Sequence, residues 1–222
     1  MKWMLSFLKM GSWLLQYLVA VYPIFKSYTM IPRFTYLLNL LVARKVKGLN
    51  GAVVECGVWR GGMIGGIAKI LGPDREYFLF DSFEGLPPAK EIDGEAAKKW
   101  QEDKNGVYYF NNCKAEQKFA AEAMQKSGAV NFTIVPGWFE ETLKEYKGGP
   151  IAILRLDADW YASTHLCLKL LSPYVMEGGI IIIDDYYTWE GCTKAVNQFL
   201  HESKRVMEGR QFLNHVFYIQ IK

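Results

Sequence analysis

The stretch Ala52-Val-Val-Glu-Cys56, stopped by Gly57, decides the fold. A short, nearly unbroken apolar run that ends at a turn residue marks a strand buried on both faces, as in a parallel sheet. Outward from it the pattern repeats. Residues 63–71 read as a helix closed by Gly72-Pro73, and 77–80 as a second buried strand ending at Asp81. Residues 95–103 and 115–125 read as helices, with a loop or lid over 106–112 between them. A third strand spans 131–135 and is halted by Pro136-Gly137; a fourth, 151–156, ends at Asp157. Helix 164–171 runs up to Pro173, strand 180–183 ends at Asp184-Asp185, and helix 193–202 follows. Residues 212–221 alternate like an antiparallel edge strand. Strand and helix in alternation predict an α/β fold, Rossmann-like in three layers, with a mostly parallel sheet and that C-terminal antiparallel edge strand.

Composition narrows the function. The chain has 222 residues, half of them hydrophobic, which excludes global disorder and allows a sizeable core without disulfides. With 26 basic and 23 acidic residues it lacks the concentrated positive charge of a nucleic-acid binder. Cys56, Cys113, Cys167 and Cys192 are scattered, which suits free thiols in a reducing, cytoplasmic location. His165, His201 and His215 form no zinc-binding pattern.

Residues 1–25 are a different material. Polar side chains at Lys2, Ser6, Lys9, Ser12 and Gln16 draw a narrow stripe on an apolar helix that Pro23 is expected to end. Lys9 divides the run and leaves too few apolar residues after it for an ordinary membrane span. Three readings stay open: packing on the domain or on a second subunit, contact with a membrane surface, or a cleaved or spanning segment. The chain therefore divides into an N-terminal apolar segment, 1–27, and one domain, 28–222.

Ligands of open α/β sheets bind beyond the carboxyl ends of the strands. Those ends carry Glu55-Cys-Gly57, Asp81, Gly137-Trp138, Asp157-Ala-Asp159 and Asp184-Asp185. Gly57, Gly61 and Gly62 lead from strand to helix, allowing a ligand close to the backbone, though a tight turn alone would need the same residues. Asp81 can accept the hydroxyls of a ribose or cap its own turn. Asp157 and Asp159 are two apart and point to one side if the chain stays extended. Carboxylates converging there would repel one another, and a hard divalent cation such as Mg²⁺ would relieve that.

Four motifs then occur in order: Val54-Glu-Cys-Gly-Val-Trp-Arg-Gly-Gly62, Phe80-Asp-Ser-Phe-Glu-Gly-Leu-Pro87, Leu154-Arg-Leu-Asp-Ala-Asp-Trp-Tyr161 with Ser163-Thr164, and Ile183-Asp-Asp-Tyr186. Together they resemble the macrocin O-methyltransferase family, metal-dependent enzymes that methylate sugar hydroxyls of antibiotics. The resemblance covers roughly residues 28–200. It implies a class I methyltransferase fold, S-adenosylmethionine as donor, Mg²⁺ as the ion and a small-molecule hydroxyl acceptor, a sugar before others. By the same resemblance Glu55 and Gly57 would line the methionine part of the cofactor, Asp81 and Ser82 the ribose, and Trp138 and Phe139 the adenine. Thr29 and Met30, after Tyr28, match a segment that folds over the cofactor. Asp157, Asp184 and Asp185 would hold the metal, and Asp159 would be the general base.

Departures concern the acceptor side. Ala158 stands where glycine is common, Ala162 where glutamate is usual, and Trp160 is bulky beside the reaction site. A catalytically silent scaffold on the same fold is the alternative reading; the intact aspartate set argues against it. A nicotinamide-dependent reductase is disfavoured by the glycine spacing.

Overall fold

The computed structural model describes residues 20–222. The apolar helix read over 1–25, with the membrane-surface and second-subunit contacts attached to it, falls almost wholly outside the described residues. Where it enters them, Ala20 is helical, Val21 is a turn, and Pro23 stands in the first turn of a separate short helix, Tyr22–Phe25. Among the described residues no helix is long and apolar enough to cross a membrane.

Seven strands form one sheet: β1 Ala52–Cys56, β2 Glu76–Asp81, β3 Asn131–Pro136, β4 Ile151–Leu156, β5 Val175–Ile183, β6 Met207–Phe212 and β7 Val216–Ile221. Their spatial order is β3-β2-β1-β4-β5-β7-β6. β1 to β5 are parallel; β7 runs antiparallel to β5, and β6 antiparallel to β7. The order reverses between β1 and β4, so the ligand crevice of this topology lies outside those two strand ends. The main helices are α1 Arg33–Ala43, α2 Gly62–Leu71, α3 Glu95–Glu102, α4 Gln117–Ser127, α5 Tyr161–Leu171 and α6 Glu190–Glu202.

The strand pleat sorts the core into two layers. Val53, Leu79, Ile180 and Ile182 join one cluster with residues of α1, α2 and α4. Val54, Phe80, Ile181 and Ile183 join the other with residues of α5 and α6. Neighbours in sequence thus face opposite layers, and both faces need apolar side chains.

The C-terminus corrects the expectation of a single edge strand over 212–221. A hairpin forms instead, with β7 inside the sheet and β6 at its edge. Leu213 and Asn214 make the turn, both with positive φ (52° and 56°), the backbone that matches hairpin twist. β6 escaped notice because its sequence, Met-Glu-Gly-Arg-Gln-Phe, has no alternating apolar face. Helix α1 carried no sequence reading at all.

The segment before α1 is built onto α2. Tyr36 Oη donates to the Gly62 carbonyl at 2.9 Å, and Gly62 N–H donates to the Tyr28 carbonyl at 2.9 Å. A Cβ on Gly66 would stand 1.9 Å from Tyr36 Oη, and one on Gly65 2.7 Å from the Phe25 ring. Phe25 and Tyr36 are fully buried there, so residues before position 28 contribute to the domain core.

Candidate active site

A cleft of about 930 Å³ opens at the carboxyl ends of the parallel strands. The twelve residues given cofactor, metal or base roles from the sequence all line it: Thr29, Met30, Glu55, Gly57, Asp81, Ser82, Trp138, Phe139, Asp157, Asp159, Asp184 and Asp185. The gathering follows from register. Gly57 N–H donates to Phe80 O, Asp157 N–H to Cys56 O, and Asp184 N–H to Leu156 O, each at 2.9 Å, so successive strand ends are level.

Gly57 sits in the left-handed region (φ +83°), and a Cβ there would lie 1.7 Å from the Asp157 carbonyl. Only glycine lets β1 and β4 approach so closely at this point. Beyond it the loop hangs on Asp81, whose Oδ2 accepts the N–H groups of Val58 and Trp59 at 2.7 Å each, while Oδ1 accepts that of Phe83 at 2.6 Å. Burial raises the Asp81 carboxyl above its ordinary range, and those three donors pull it back. Asp81 is therefore first a clamp on the glycine loop, with lone pairs left for a ribose hydroxyl. Ser82 closes its own turn, its Oγ donating to Gly85 O at 3.2 Å and accepting Glu84 N–H at 3.1 Å. Trp138, 37% exposed, leaves its ring free for a flat ligand.

The acidic end is organised by a residue the sequence reading passed over. Arg155 is completely buried in β4. Its Nη1 donates to Glu55 Oε1 at 2.7 Å and to Asp157 Oδ2 at 3.0 Å, and its Nη2 pairs with Asp184 Oδ1. A lone arginine in the apolar run Ile151-Ala-Ile-Leu-Arg-Leu156 was the available signal, because such a charge persists in a sheet core only when paired. Burial pushes Glu55 up to about 8, against the pull of Arg155. Its second oxygen, Oε2, is buried with no partner in the protein.

Asp157, Asp184 and Asp185 each present an oxygen within 4.8 Å of the others. Asp157 is pushed up to about 6 by desolvation and by Asp184, with Arg155 opposing. Asp185 is raised well above its ordinary value by burial and by the neighbouring Asp159 and Asp157. Carboxylates held this close repel one another, and a divalent cation among them would relieve that repulsion. The all-oxygen donor set fits Mg²⁺, and the orphaned Glu55 Oε2 fits a cofactor ammonium.

Asp159 does not continue the extended chain as the two-residue spacing assumed. Its backbone is left-handed (φ +54°), and Trp160 N–H turns back to Ala158 O at 2.6 Å. The turn still delivers the carboxylate to the cleft, where Oδ1 accepts the Trp189 indole N–H at 2.9 Å. Asp159 N–H donates to Asp185 Oδ2 at 3.1 Å. Burial and Asp157 push its carboxyl up to about 8. Trp160, the bulky neighbour of Asp159, is buried at 2% exposure and packs against Trp189.

Sheet order, glycine loop and acidic strand ends define the chain as a class I methyltransferase fold. The macrocin-O-methyltransferase (TylF) family profile matches residues 22–211, and the chain belongs to that family. It is 36% identical over 155 residues to demethyldecarbamoylnovobiocin O-methyltransferase of Streptomyces niveus, covering 67% of this chain and 58% of that protein. It is 34% identical over 158 residues to 8-demethyl-8-(2,3-dimethoxy-alpha-L-rhamnosyl)-tetracenomycin-C 4'-O-methyltransferase of Streptomyces olivaceus, covering 68% and 59%. The chain thus spans less than two thirds of the length of these curated relatives. The solved structure of the O-methyltransferase NovP superposes with a TM-score of 0.73 at 28% identity, covering 88% of this chain and 82% of that one.

Proposed function

We propose that the protein is an S-adenosylmethionine- and Mg²⁺-dependent O-methyltransferase that methylates a hydroxyl of a glycoside. The observation that carries this reading is the convergence, in one cleft, of Asp157, Asp184 and Asp185 with the unpartnered Glu55 oxygen beside the Gly57 loop. The catalytic unit is residues 28–222 together with the end of the preceding segment, 1–27, whose Val21 and Phe25 belong to the same core.

S-adenosylmethionine supplies an electrophilic methyl group on a sulfonium. Glu55 and Gly57 would hold its methionine end, Asp81 and Ser82 its ribose, Trp138 and Phe139 its adenine, with Thr29 and Met30 over it. Asp157, Asp184 and Asp185 would hold Mg²⁺, whose positive charge would make a nearby hydroxyl more acidic. Asp159 would be the group that takes the acceptor hydroxyl's proton. No covalent enzyme intermediate is needed, so the chain's task is alignment, proton removal and exclusion of water.

A mass-spectrometric methyl-transfer screen over glycosides and phenols, with Mg²⁺ present and then chelated, tests the reading. Methyl transfer to a glycoside that stops on chelation and returns with Mg²⁺ is the expected result. Transfer that persists under chelation would remove the metal role.

A further inference from the structure

Beside Asp159 the cleft carries an aromatic corner. Trp100, Trp160 and Trp189 pack edge to face, with centroids 6.0 Å apart for Trp100 and Trp189, 5.3 Å for Trp160 and Trp189, and 6.4 Å for Trp100 and Trp160. These spacings are those of attractive aromatic pairs. Every indole N–H is already engaged. Trp100 donates to Tyr108 O at 3.0 Å, Trp160 to Pro87 O at 2.8 Å and Trp189 to Asp159 Oδ1 at 2.9 Å. The rings are thus held in orientation from three different segments of the chain. Trp160 forms the buried backing, while Trp100 and Trp189 line the cleft.

With their N–H groups committed, Trp100 and Trp189 offer the cleft only aromatic surface, and the Asp159 carboxylate stands at its rim. Their planes meet at 65°, so they make a corner rather than a parallel slot. A flat aromatic ring could stack on one wall of such a corner and meet the other edge-on, so p-nitrophenol is the competing occupant. A puckered ring with C–H groups on one side and hydroxyls around its edge fits a corner, its C–H groups against the electron-rich faces and a hydroxyl donating to the carboxylate.

We propose that Trp100 and Trp189 form the acceptor subsite, seating the apolar face of a sugar ring so that one hydroxyl reaches Asp159. This assignment rests on the methyltransferase reading above. Trp189 has a second task as a positioning residue, since its N–H orients the carboxylate that takes the proton.

The test uses the full chain with S-adenosylhomocysteine and Mg²⁺, and methyl α-L-rhamnopyranoside as probe. Saturation-transfer NMR reads which probe protons touch the protein; titration gives the affinity, and p-nitrophenol serves as the flat comparison. The expected result is strong transfer to ring C–H protons and affinity lower by about tenfold in Trp100→Ala, with S-adenosylhomocysteine affinity held as the check on folding. Trp100→Phe, which keeps a ring, retains most of the binding. Trp189→Phe keeps an aromatic face without the N–H, so kcat falls while KM for the methylated glycoside stays near wild type. Unchanged probe affinity in Trp100→Ala overturns the subsite. So does p-nitrophenol binding as tightly as the glycoside, or no glycoside binding by protein that binds S-adenosylhomocysteine. Probe binding that depends on Trp100 without methyl transfer to any glycoside retains the subsite and sinks the reaction instead.

Discussion

Glu55 and Arg155 face one another across adjacent parallel strands, in register, with Nη1 and Oε1 2.7 Å apart and each side chain 1% exposed. Removing one member of such a buried pair strands the other charge in a low-dielectric core. Arg155 also touches Asp157 and Asp184, so it ties the sheet interior to the floor of the cleft.

Arg155→Leu is therefore expected to lower stability by about 3–5 kcal/mol, measured by urea denaturation. Adding Glu55→Gln should recover part of that loss, because the neutral amide no longer needs a counter-charge. A double variant no more stable than Arg155→Leu would show that Glu55 is not the principal partner.

Asp159→Asn retains an oxygen that can accept the Trp189 N–H but cannot take a proton. Turnover should fall by about 10²- to 10⁴-fold, while S-adenosylmethionine affinity by calorimetry stays within a factor of about two of wild type. Full activity in this variant would remove Asp159 from the base role.

Asp184→Asn and Asp185→Asn each withdraw one anionic ligand from the trio. Titrating Mg²⁺ into chelator-treated protein should show the half-saturating concentration raised by more than about tenfold. Asp93→Asn is the control. That carboxylate accepts Tyr161 N–H at 2.7 Å and Lys90 N–H at 2.8 Å outside the trio, and its loss should leave the Mg²⁺ requirement unchanged.

Gly66→Ala places a methyl group on Tyr36 Oη, displacing a fully buried ring. Overpacking of this kind costs about 1–3 kcal/mol. Tyr36→Phe, which loses only the hydrogen bond to Gly62, should cost about 1 kcal/mol. Thermal denaturation of both variants separates the steric effect from the hydrogen-bonding one.

Much of the fold was legible along the chain. The buried strands have short apolar runs closed by Gly, Pro or Asp, signals that are local and need no partner to interpret. β6 was not legible, because a polar edge strand is held by its hydrogen bonds to β7 rather than by a pattern of its own. Helix α1 went unread, and it is held by tertiary packing on the glycine face of α2.

The sequence by itself determined the parallel α/β architecture, the positions of the acidic strand ends and the family motifs. These follow from periodicity and from which residue stops each strand. Only the tertiary structure decided what those acids do to one another. Register set Glu55 opposite Arg155, the left-handed backbone at Asp159 turned its carboxylate toward Trp189, and three indoles from distant segments met in one corner. Interactions between residues as far apart as 55 and 155 depend on which strands become neighbours, and that is a property of the folded sheet rather than of any stretch of chain.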